Sequence, residues 1–421
     1  MTDAIFNTAN SILVAIDIAK DKHDVVVLLP TGKKECFKVN NTLQDCQKLS
    51  AYLKKQALPS LIAFEATGNY HRAIAYFLQK ENFTVYLVSS LAAARTREAL
   101  HNSWDKNDPK DAQVILHLLK TGIVQHYHDP LIHGFNDVQE ISKTYHQISL
   151  AKVKIQHSIM NHYLPLYFPE VPKYFHASRA QWFLSMLSQF PTPSVVLKNT
   201  EDEFIKVAWE GVGRKVDKKN WLIDFYRTAK ESIALPISED SEAIKMFRII
   251  LAQHQHLCKI RADLEAKAES HLSEHSDYQR LKSIPGIGPV IALMILAEAG
   301  DLRRFNHYKQ FLKFCGFDLS TQQSGSFRGA SKLSKHGNAR LRYAFWIAGT
   351  NAIRMTENTF RRKFENYVKQ DPKNADLKRK TYTAVAAKIA RVAYSLIKHQ
   401  TDYRCYHESV IPSGGIPSIG P

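Results

Sequence analysis

The sequence predicts a mixed α/β domain at the amino terminus, then a helical spacer and a mostly helical, basic carboxy-terminal domain. Three observations support this prediction. Short apolar runs between polar breaks fill residues 10–90, helical periodicity dominates from about residue 138, and the excess positive charge lies near the carboxy terminus. With 421 residues the chain exceeds one ordinary core, so two or three domains are expected.

The first 125 residues alternate between predicted strands and predicted helices. Apolar runs predict strands near 12–18, 24–30, 61–65 and 84–88, and amphipathic patterns predict helices near 43–56, 70–80 and 110–120. The polar break between the first two runs is typical of a hairpin turn. We therefore expect an α/β domain over residues 1–130.

Long helical periodicity covers residues 138–163 and again 241–276. The two segments fit an antiparallel or an intersubunit coiled coil, but their apolar spacing is too irregular to define an oligomeric state. They predict a spacer over 138–277, with an insertion near 165–240 that carries no chemical motif. The basic domain is predicted over 278–400, and the tail, 401–421, ends in a Gly/Pro-rich stretch that predicts disorder.

Composition excludes several classes of protein. Hydrophobic residues make up 44% and charged residues 23%, as in ordinary globular proteins. No apolar stretch approaches the roughly 20 residues of a membrane span, so neither a signal peptide nor an anchor is expected, and the sequence predicts a cytoplasmic protein. The five cysteines are scattered without C-x-x-C spacing, which argues against disulfides and against a zinc site.

The charge distribution indicates a polyanionic partner. Lysine and arginine number 57 against 40 acids, which gives a net charge of +17 and a pI near 9.5. Residues 301–400 alone hold 21 Lys/Arg and 6 Asp/Glu, so nearly the whole excess lies in one quarter of the chain. A basic surface kept for solubility is the alternative, but concentration in one domain favours nucleic acid.

Four acids in the first quarter of the chain fit a metal-dependent nuclease core. Asp17 lies in the first apolar run, Glu65 ends the third, and Asp108 and Asp111 begin a helical pattern with a spacing that places both on one face. Taken singly, each acid has an ordinary alternative, such as a solvent-facing strand residue or a helix cap. Their combination predicts a site for two divalent cations.

A glycine-rich turn opens the basic domain in the segment LKSIPGIGPVIALMILAEAG. Gly286 and Gly288 leave backbone N–H groups free at a helix start, and such a turn can bind a phosphate, as in helix-hairpin-helix units. The alternative is a tight helix–helix connection that needs small residues.

The segment TQQSGSFRGASKLSKHGNARLR combines hydroxyls, glycines and cations. A serine can attack a phosphodiester when cations stabilise the transition state, although spacing alone favours a flexible phosphate-binding loop. The candidate phosphate contacts are Arg328, Lys332, Lys335, Arg340 and Arg342, with Arg361, Arg362 and Lys363 as a more distal basic cluster.

The order of these motifs resembles the DEDD-type transposases of insertion sequences, a family that includes the Piv-type DNA invertases. The resemblance covers about residues 10–125 and 278–400. It is carried by the ordered acids, the IPGIGP turn, the QSG triplet at 323–325 and the LSKHGNARLR segment. The long 165–240 segment departs from shorter members of the family, which places the spacer geometry in doubt rather than the catalytic residues.

The resemblance implies the roles of the site residues. The amino-terminal domain would be RuvC-like (RNase H-like), and its acids would bind Mg²⁺, or Mn²⁺, with the ions about 4 Å apart. Those acids are Asp17, Glu65, Asp108 and Asp111. Ser324 would be the nucleophile, with Ser326 and Ser334 as alternatives, and would form a transient phosphoserine link to DNA.

The resemblance also implies the partners. The protein would cut and rejoin donor and target DNA, guided by a bridge RNA, and would lie on the nucleoid while bound. A homo-oligomer is expected, a dimer or a tetramer on DNA, in which the two halves of one site come from different subunits. Two other functions remain open: a RuvC-type structure-specific endonuclease without a covalent intermediate, and a nucleic-acid-binding protein with a degenerate catalytic core.

Overall fold

The structure of the protein is a computed structural model that describes residues 8, 10–101, 108–129, 136–176, 180–213, 216–320, 323–324, 327–329, 331–356 and 358–404. The chain divides into two compact units, Met1–Ile132 and His133–Pro421. Within the described ranges, no helix combines the length and the apolar character that a membrane crossing requires.

The first unit is built on one mixed sheet of six strands in the order β3-β2-β1-β4-β5-β6. Strands β1, β4 and β5 run parallel, while β2, β3 and β6 are antiparallel to their neighbours. The strands are β1 (Ile12–Asp17), β2 (Lys22–Leu28), β3 (Lys34–Asn40), β4 (Ser60–Glu65), β5 (Thr84–Val88) and β6 (Gln125–His126). The helices are α1 (Leu43–Lys55), α2 (His71–Lys80), α3 (Ser90–His101) and α4 (Asp108–Lys120).

Helices cover both faces of this sheet, so its central strands are apolar on both sides. Alternate residues of β1 enter two separate cores: Ile12, Val14 and Ile16 pack on the side of α1 and α2, while Leu13 and Ala15 pack on the side of α4. The α1 helix begins at Thr42, whose side chain accepts a hydrogen bond from the Asp45 amide, and this cap sets the entry from β3.

The second unit is mostly helical, and its first half contains two long helices and several short ones. The long helices are α5 (Asn136–Ser158) and α11 (Glu242–Leu272). Between them lie α6 (Leu164–Tyr167), α7 (Ala180–Gln189), α8 (Pro193–Val196), α9 (Glu201–Ala208) and α10 (Lys218–Lys230), together with a π-helical turn at Ile159–Tyr163. The short helices and the start of α11 bury a common aromatic core, which includes Phe183, Phe204, Phe225 and Phe247.

The second half of this unit packs around one apolar helix. The helices are α12 (Ser276–Lys282), α13 (Pro289–Ala299), α14 (Tyr308–Phe314), α15 (Ala339–Arg354), α16 (Thr359–Val368) and α17 (Ala375–His399). Between α14 and α15 lie four two-residue strands, β7 (Leu319–Ser320), β8 (Gln323–Ser324), β9 (Phe327–Arg328) and β10 (Lys332–Leu333). Nearly every side chain of α13 is buried, which explains its uniformly apolar sequence.

The predicted α/β class of the amino-terminal region and the helical character of the rest are confirmed. Strands β1, β4 and β5 lie where the apolar runs predict them, whereas β3 and α3 were not predicted. The two long helices pack antiparallel within the chain, since the Tyr145 hydroxyl donates to Glu265 at 2.9 Å while Ile155 and Leu251 share the aromatic core. The four-part domain division stays a prediction, and most of the tail, 405–421, lies outside the described residues.

Candidate active site

Two of the predicted acids end adjacent parallel strands. Asp17 is the last residue of β1 and Glu65 the last of β4, and the residues before them, Ile16 and Phe64, are register partners. One step further, the register places Asp17 beside Glu65. Because side chains alternate along a strand, both carboxylates emerge on the same face, the one that α4 covers. The structure therefore brings these two acids together.

A third carboxylate, which the sequence analysis missed, stands in the same row. Asp24 on β2 is the antiparallel partner of Asp17, so the two side chains lie on one face at neighbouring positions. The Asp24 carboxylate faces the ammonium group of Lys38 at 3.6 Å. The signal was present in the sequence, because Val26 is buried on the α4 side and period-two alternation places Asp24 there as well.

The helix over this face supplies the other predicted pair. α4 begins at Asp108, whose side chain lies outside the described residues, and buries Asp111 to 5% exposure. Asp111 does not stand free: Arg97 on α3 donates from Nε to its Oδ1 at 2.6 Å. The Arg97 guanidinium neutralises a carboxylate whose burial would otherwise be costly. Arg97 was not predicted.

The donors gathered here are carboxylate oxygens, which are the ligands that Mg²⁺ and Mn²⁺ take in proteins. Within the described part of the chain, no three His, Cys, Asp or Glu side chains form a group ready to hold a metal ion. Asp17 and Glu65 are adjacent, while Asp111 is occupied by Arg97. The donor chemistry therefore fits the predicted ion, and use of Asp111 as a ligand requires Arg97 to withdraw.

Ser324 lies in a segment of the second unit that forms two successive short strand pairs. β7 pairs with β10, and we call this pair the base of the hairpin. β8 pairs with β9 in the second pair, which we call the upper tier, and Ser324 stands opposite Phe327 there. The side chain of Ser324 and all of Ser326 lie outside what is described. Ser334 follows the base, and its amide donates to the Asp318 carbonyl at 2.8 Å. Thus the candidate nucleophile is on the upper tier, whereas Ser334 is part of the hairpin's attachment.

The IPGIGP turn has two different glycines. Gly286 has φ +91°, and a Cβ there would stand 2.2 Å from the Ala348 carbonyl oxygen of α15, so this glycine permits close helix packing. Gly288 is the residue before α13, and a Cβ on it would meet no atom within 4 Å. The packing alternative therefore accounts for Gly286, and phosphate binding at Gly288 stays a prediction.

The predicted phosphate contacts differ in their availability. Arg340 is engaged: its guanidinium lies 2.8 Å from Glu298 and also donates to the Ser142 carbonyl at 3.2 Å. Arg342 donates to the Lys335 carbonyl at 3.1 Å, while the Lys332 and Lys335 side chains are exposed. The Arg328 side chain lies outside the described residues. All five assignments stay predictions, and the two exposed lysines are the most accessible.

Two separate segments of the chain match families of known proteins. Residues 14–165 match the family model DEDD_Tnp_IS110, described as Transposase, and residues 278–365 match Transposase_20, described as Transposase IS116/IS110/IS902 family. Both matches fall on the segments that carry the candidate residues.

Three relatives illustrate the similarity. The candidate mini-circle transposase for IS117 of Streptomyces coelicolor is 26% identical over 75% of this chain and 78% of its own length. The transposase for insertion sequence element IS1111A of Coxiella burnetii is 28% identical over 41% of this chain and 48% of its own length. The transposase for IS1328 of Yersinia enterocolitica is 28% identical over 23% of this chain and 30% of its own.

A solved structure, T. thermophilus RuvC in complex with Holliday junction substrate, aligns to 28% of this chain and 99% of its own at 10% identity. Its TM-score is 0.20.

The family models and relatives define the class of protein: a DNA transposase of an insertion sequence. Within that class, the chain belongs to the DEDD-type insertion-sequence transposases, the family to which its motifs point.

Proposed function

We propose that this transposase cuts and rejoins DNA with a RuvC-like nuclease core and a serine nucleophile. The observation that carries the proposal is the register of β1 and β4, which sets Asp17 beside Glu65 on the face covered by α4. Two neighbouring strand-end carboxylates beneath a helix that carries two more acids are an arrangement suited to divalent cations. A purely structural domain gains nothing from such a row of acids.

Asp17, Glu65, Asp108 and Asp111 would hold the divalent cation. Bound Mg²⁺ supplies charge to polarise the scissile phosphate and stabilise the leaving oxygen. The residues of the chain prepare the site: the sheet fixes Asp17 and Glu65, and the ion pair with Arg97 positions the buried Asp111. Withdrawal of Arg97 from Asp111 makes that carboxylate available.

Ser324 would carry the covalent step. Its Oγ attacks the phosphorus of the scissile phosphodiester and gives up its proton, a P–O bond of the strand breaks, and the released sugar oxygen takes up a proton to become a hydroxyl. A hydroxyl of the partner strand then attacks the phosphoserine, so the strand is rejoined and Ser324 is restored. The position of Ser324 on the upper tier of the β7–β10 hairpin suits a residue that must reach DNA.

The family resemblance supports guidance by a structured bridge RNA that pairs with donor and target DNA. The net charge of +17 and the basic segment 301–400 are consistent with recognition of a nucleic-acid backbone. The homo-oligomer on DNA, with site halves from different subunits, is proposed on the same ground.

A recombination assay tests the proposal. The purified protein is combined with Mg²⁺, RNA transcribed from the DNA that flanks the coding frame, and labelled donor and target DNA. Wild type is compared with Asp17→Asn and Ser324→Ala, and a denaturing gel detects protein-linked DNA. The expected result is a joined product and a covalent adduct from wild type, with the adduct absent from Ser324→Ala.

Three other outcomes each overturn part of the proposal. Cleavage that survives Ser324→Ala with an adduct indicates another serine, which Ser334→Ala then tests, whereas cleavage by wild type without any adduct indicates a metal-only endonuclease. Binding without cleavage in wild type indicates a degenerate core. Recombination that proceeds equally well without RNA shows that the reaction does not need a guide RNA.

A further inference from the structure

Helix α15 presents two large aromatic side chains to solvent. Tyr343 is 51% exposed and Trp346 is 44% exposed, although one helix turn separates them and the opposite face of α15 is buried. Their rings are nearly parallel, with an interplanar angle of 13° and centroids 6.5 Å apart. Aromatic side chains that serve only a core are not displayed in this way, so the pair needs another explanation.

The neighbouring helix extends this aromatic surface. The ring centroid of Tyr382 on α17 lies 6.5 Å from that of Trp346. It also lies 4.8 Å from the ring centroid of Phe364 on α16, so these two rings pack together. We call Tyr343, Trp346 and Tyr382 the aromatic shelf.

A cavity of about 330 Å³ opens beside the aromatic shelf, and Arg342 lines that cavity with Leu333 and Thr383. The shelf is therefore an apolar aromatic surface, with Tyr382 inclined at 51° to Trp346 and a cation at its edge.

The charge around the shelf is mainly positive. Residues 331–346 contain four Lys or Arg and residues 377–383 contain three, and neither segment contains an acid. On α17, Lys378 and Arg379 precede Tyr382 by one turn, so they lie on its side of the helix. Arg379 pairs with Asp376 at 3.2 Å, whereas Lys378 has no ion-pair partner among the residues that the structure describes.

We propose that the aromatic shelf stacks unpaired bases of single-stranded DNA while the surrounding cations contact its phosphates. The inference rests on the proposed function, because strand exchange exposes unpaired nucleotides beside the cut. Single-strand binders combine these two features, aromatic faces for bases and a positive surface for the backbone. Since every base has a flat face, the shelf would hold the strand without reading its sequence.

Charge and shape favour this occupant over others. In a duplex the bases are stacked on each other, so an intact double helix offers the shelf only its phosphates. A second copy of this chain would bring another strongly positive protein against the same cations, which repel it. Single-stranded DNA supplies both the flat apolar faces and the negative charge that the surface lacks.

Fluorescence anisotropy of labelled oligothymidylate tests the proposal, with the full-length protein in EDTA so that no strand is cut. The variant Tyr343→Ala/Trp346→Ala should bind single-stranded DNA about 5- to 100-fold more weakly, the range for loss of base stacking. Tyr343→Phe/Trp346→Phe should restore most of the affinity because the rings remain. Trp209→Ala is the matched control, since Trp209 is 39% exposed on a different surface and should change nothing.

Three comparisons separate the outcomes. Lys378→Ala should weaken single-stranded and duplex DNA alike and flatten the salt dependence, whereas the aromatic variant should affect duplex DNA little. Equal loss on duplex DNA, no loss on single-stranded DNA, or a loss confined to oligouridylate would overturn the proposal.

A change of oligomeric state in light scattering, with unchanged affinity, would assign the shelf to protein contact instead. Because binding in EDTA needs neither Ser324 nor a metal, an inactive nuclease with normal shelf binding refutes only the proposed function.

Discussion

Arg97 donates a hydrogen bond from Nε to Oδ1 of Asp111 at 2.6 Å, and the two side chains are 18% and 7% exposed. A divalent cation that binds Asp111 competes with this guanidinium for the same carboxylate. Use of Asp111 as a metal ligand therefore requires a rearrangement of Arg97 on α3. The pair keeps the buried acid compensated while the cation is absent.

Replacement of Arg97 by Gln should destabilise the amino-terminal unit. The change leaves Asp111 buried without its cation, and loss of one partner of a buried pair costs about 3 kcal/mol of unfolding free energy. Urea denaturation measures the effect. The double variant Arg97→Gln/Asp111→Asn should recover much of it, because no unpaired charge is then buried. Equal stability of Arg97→Gln and wild type would contradict the role assigned to the pair.

Magnesium should stabilise Arg97→Gln more than it stabilises wild type. With the guanidinium removed, the Asp111 carboxylate is available to the cation, which then binds the folded state preferentially. A thermal-unfolding titration with Mg²⁺ measures the difference in Tm shift. A Tm shift of the same size in Arg97→Gln/Asp111→Asn would show that the cation acts elsewhere.

Asp17 and Asp24 form a matched pair for testing the acid row. Asp17→Asn should lower cleavage by at least about 100-fold, since it removes a proposed ligand that adjoins Glu65. Asp24→Asn should have a much smaller effect because the Asp24 carboxylate is already opposed by Lys38. Cleavage rates in Mg²⁺, with circular dichroism to check folding, compare the two. A larger loss of cleavage in Asp24→Asn than in Asp17→Asn would indicate that the site is centred on β2 rather than on β1.

The sequence predicts those parts of the fold whose pattern is local. The runs that become β1 and β4 are apolar on both faces, and they predict both the strands and the acids at their ends. In contrast, β3 alternates charged with apolar residues as a mostly exposed edge strand, and no apolar run marks it. Helix α3 is rich in alanine and weakly amphipathic, so it was missed, and Arg97 was missed with it.

Tertiary contacts explain the remaining differences. The insertion near 165–240 packs its short helices into a core shared with α11, and no local period encodes which of the aromatic residues meet. Likewise, the contact between Gly286 and α15 joins residues about 60 positions apart in the chain, so the turn alone left both packing and phosphate binding open. Glu298, the partner of Arg340, also lies about 40 positions away in the chain, so no local pattern predicts that contact.

Gly286 and Gly288 should respond differently to substitution by alanine. In Gly286→Ala the new Cβ meets the Ala348 carbonyl at a left-handed φ, so overpacking and strain together should cost about 3 kcal/mol. Gly288→Ala has open space and should change the unfolding free energy little. Urea denaturation compares the stabilities, and DNA affinity is measured for Gly288→Ala. Weaker DNA binding by this stable variant would support a phosphate contact at the turn. Unchanged DNA binding would contradict such a contact.

His254 should make the α5–α11 helix pair sensitive to mild acid. Burial, reinforced by the charge of Lys152, lowers the pKa of this histidine from 6.5 to about 4. It is 1% exposed, its Nδ1 lies 3.7 Å from the Cys258 sulfur, and its Nε2 has no hydrogen-bond partner among the described residues. The folded protein therefore keeps the ring neutral in a pH range where the unfolded chain protonates it.

This difference in pKa determines how the unfolding free energy changes with pH. Stability contributed by neutral His254 is complete above pH 6.5 and is lost as the pH falls towards about 4. Between about pH 7.5 and about pH 5 the loss should be about 2 kcal/mol, measured by urea denaturation at each pH. His254→Leu should remove this dependence, while His256→Leu, at an exposed position two residues away, should retain it. Identical pH profiles for His254→Leu and wild type would exclude His254 as the source.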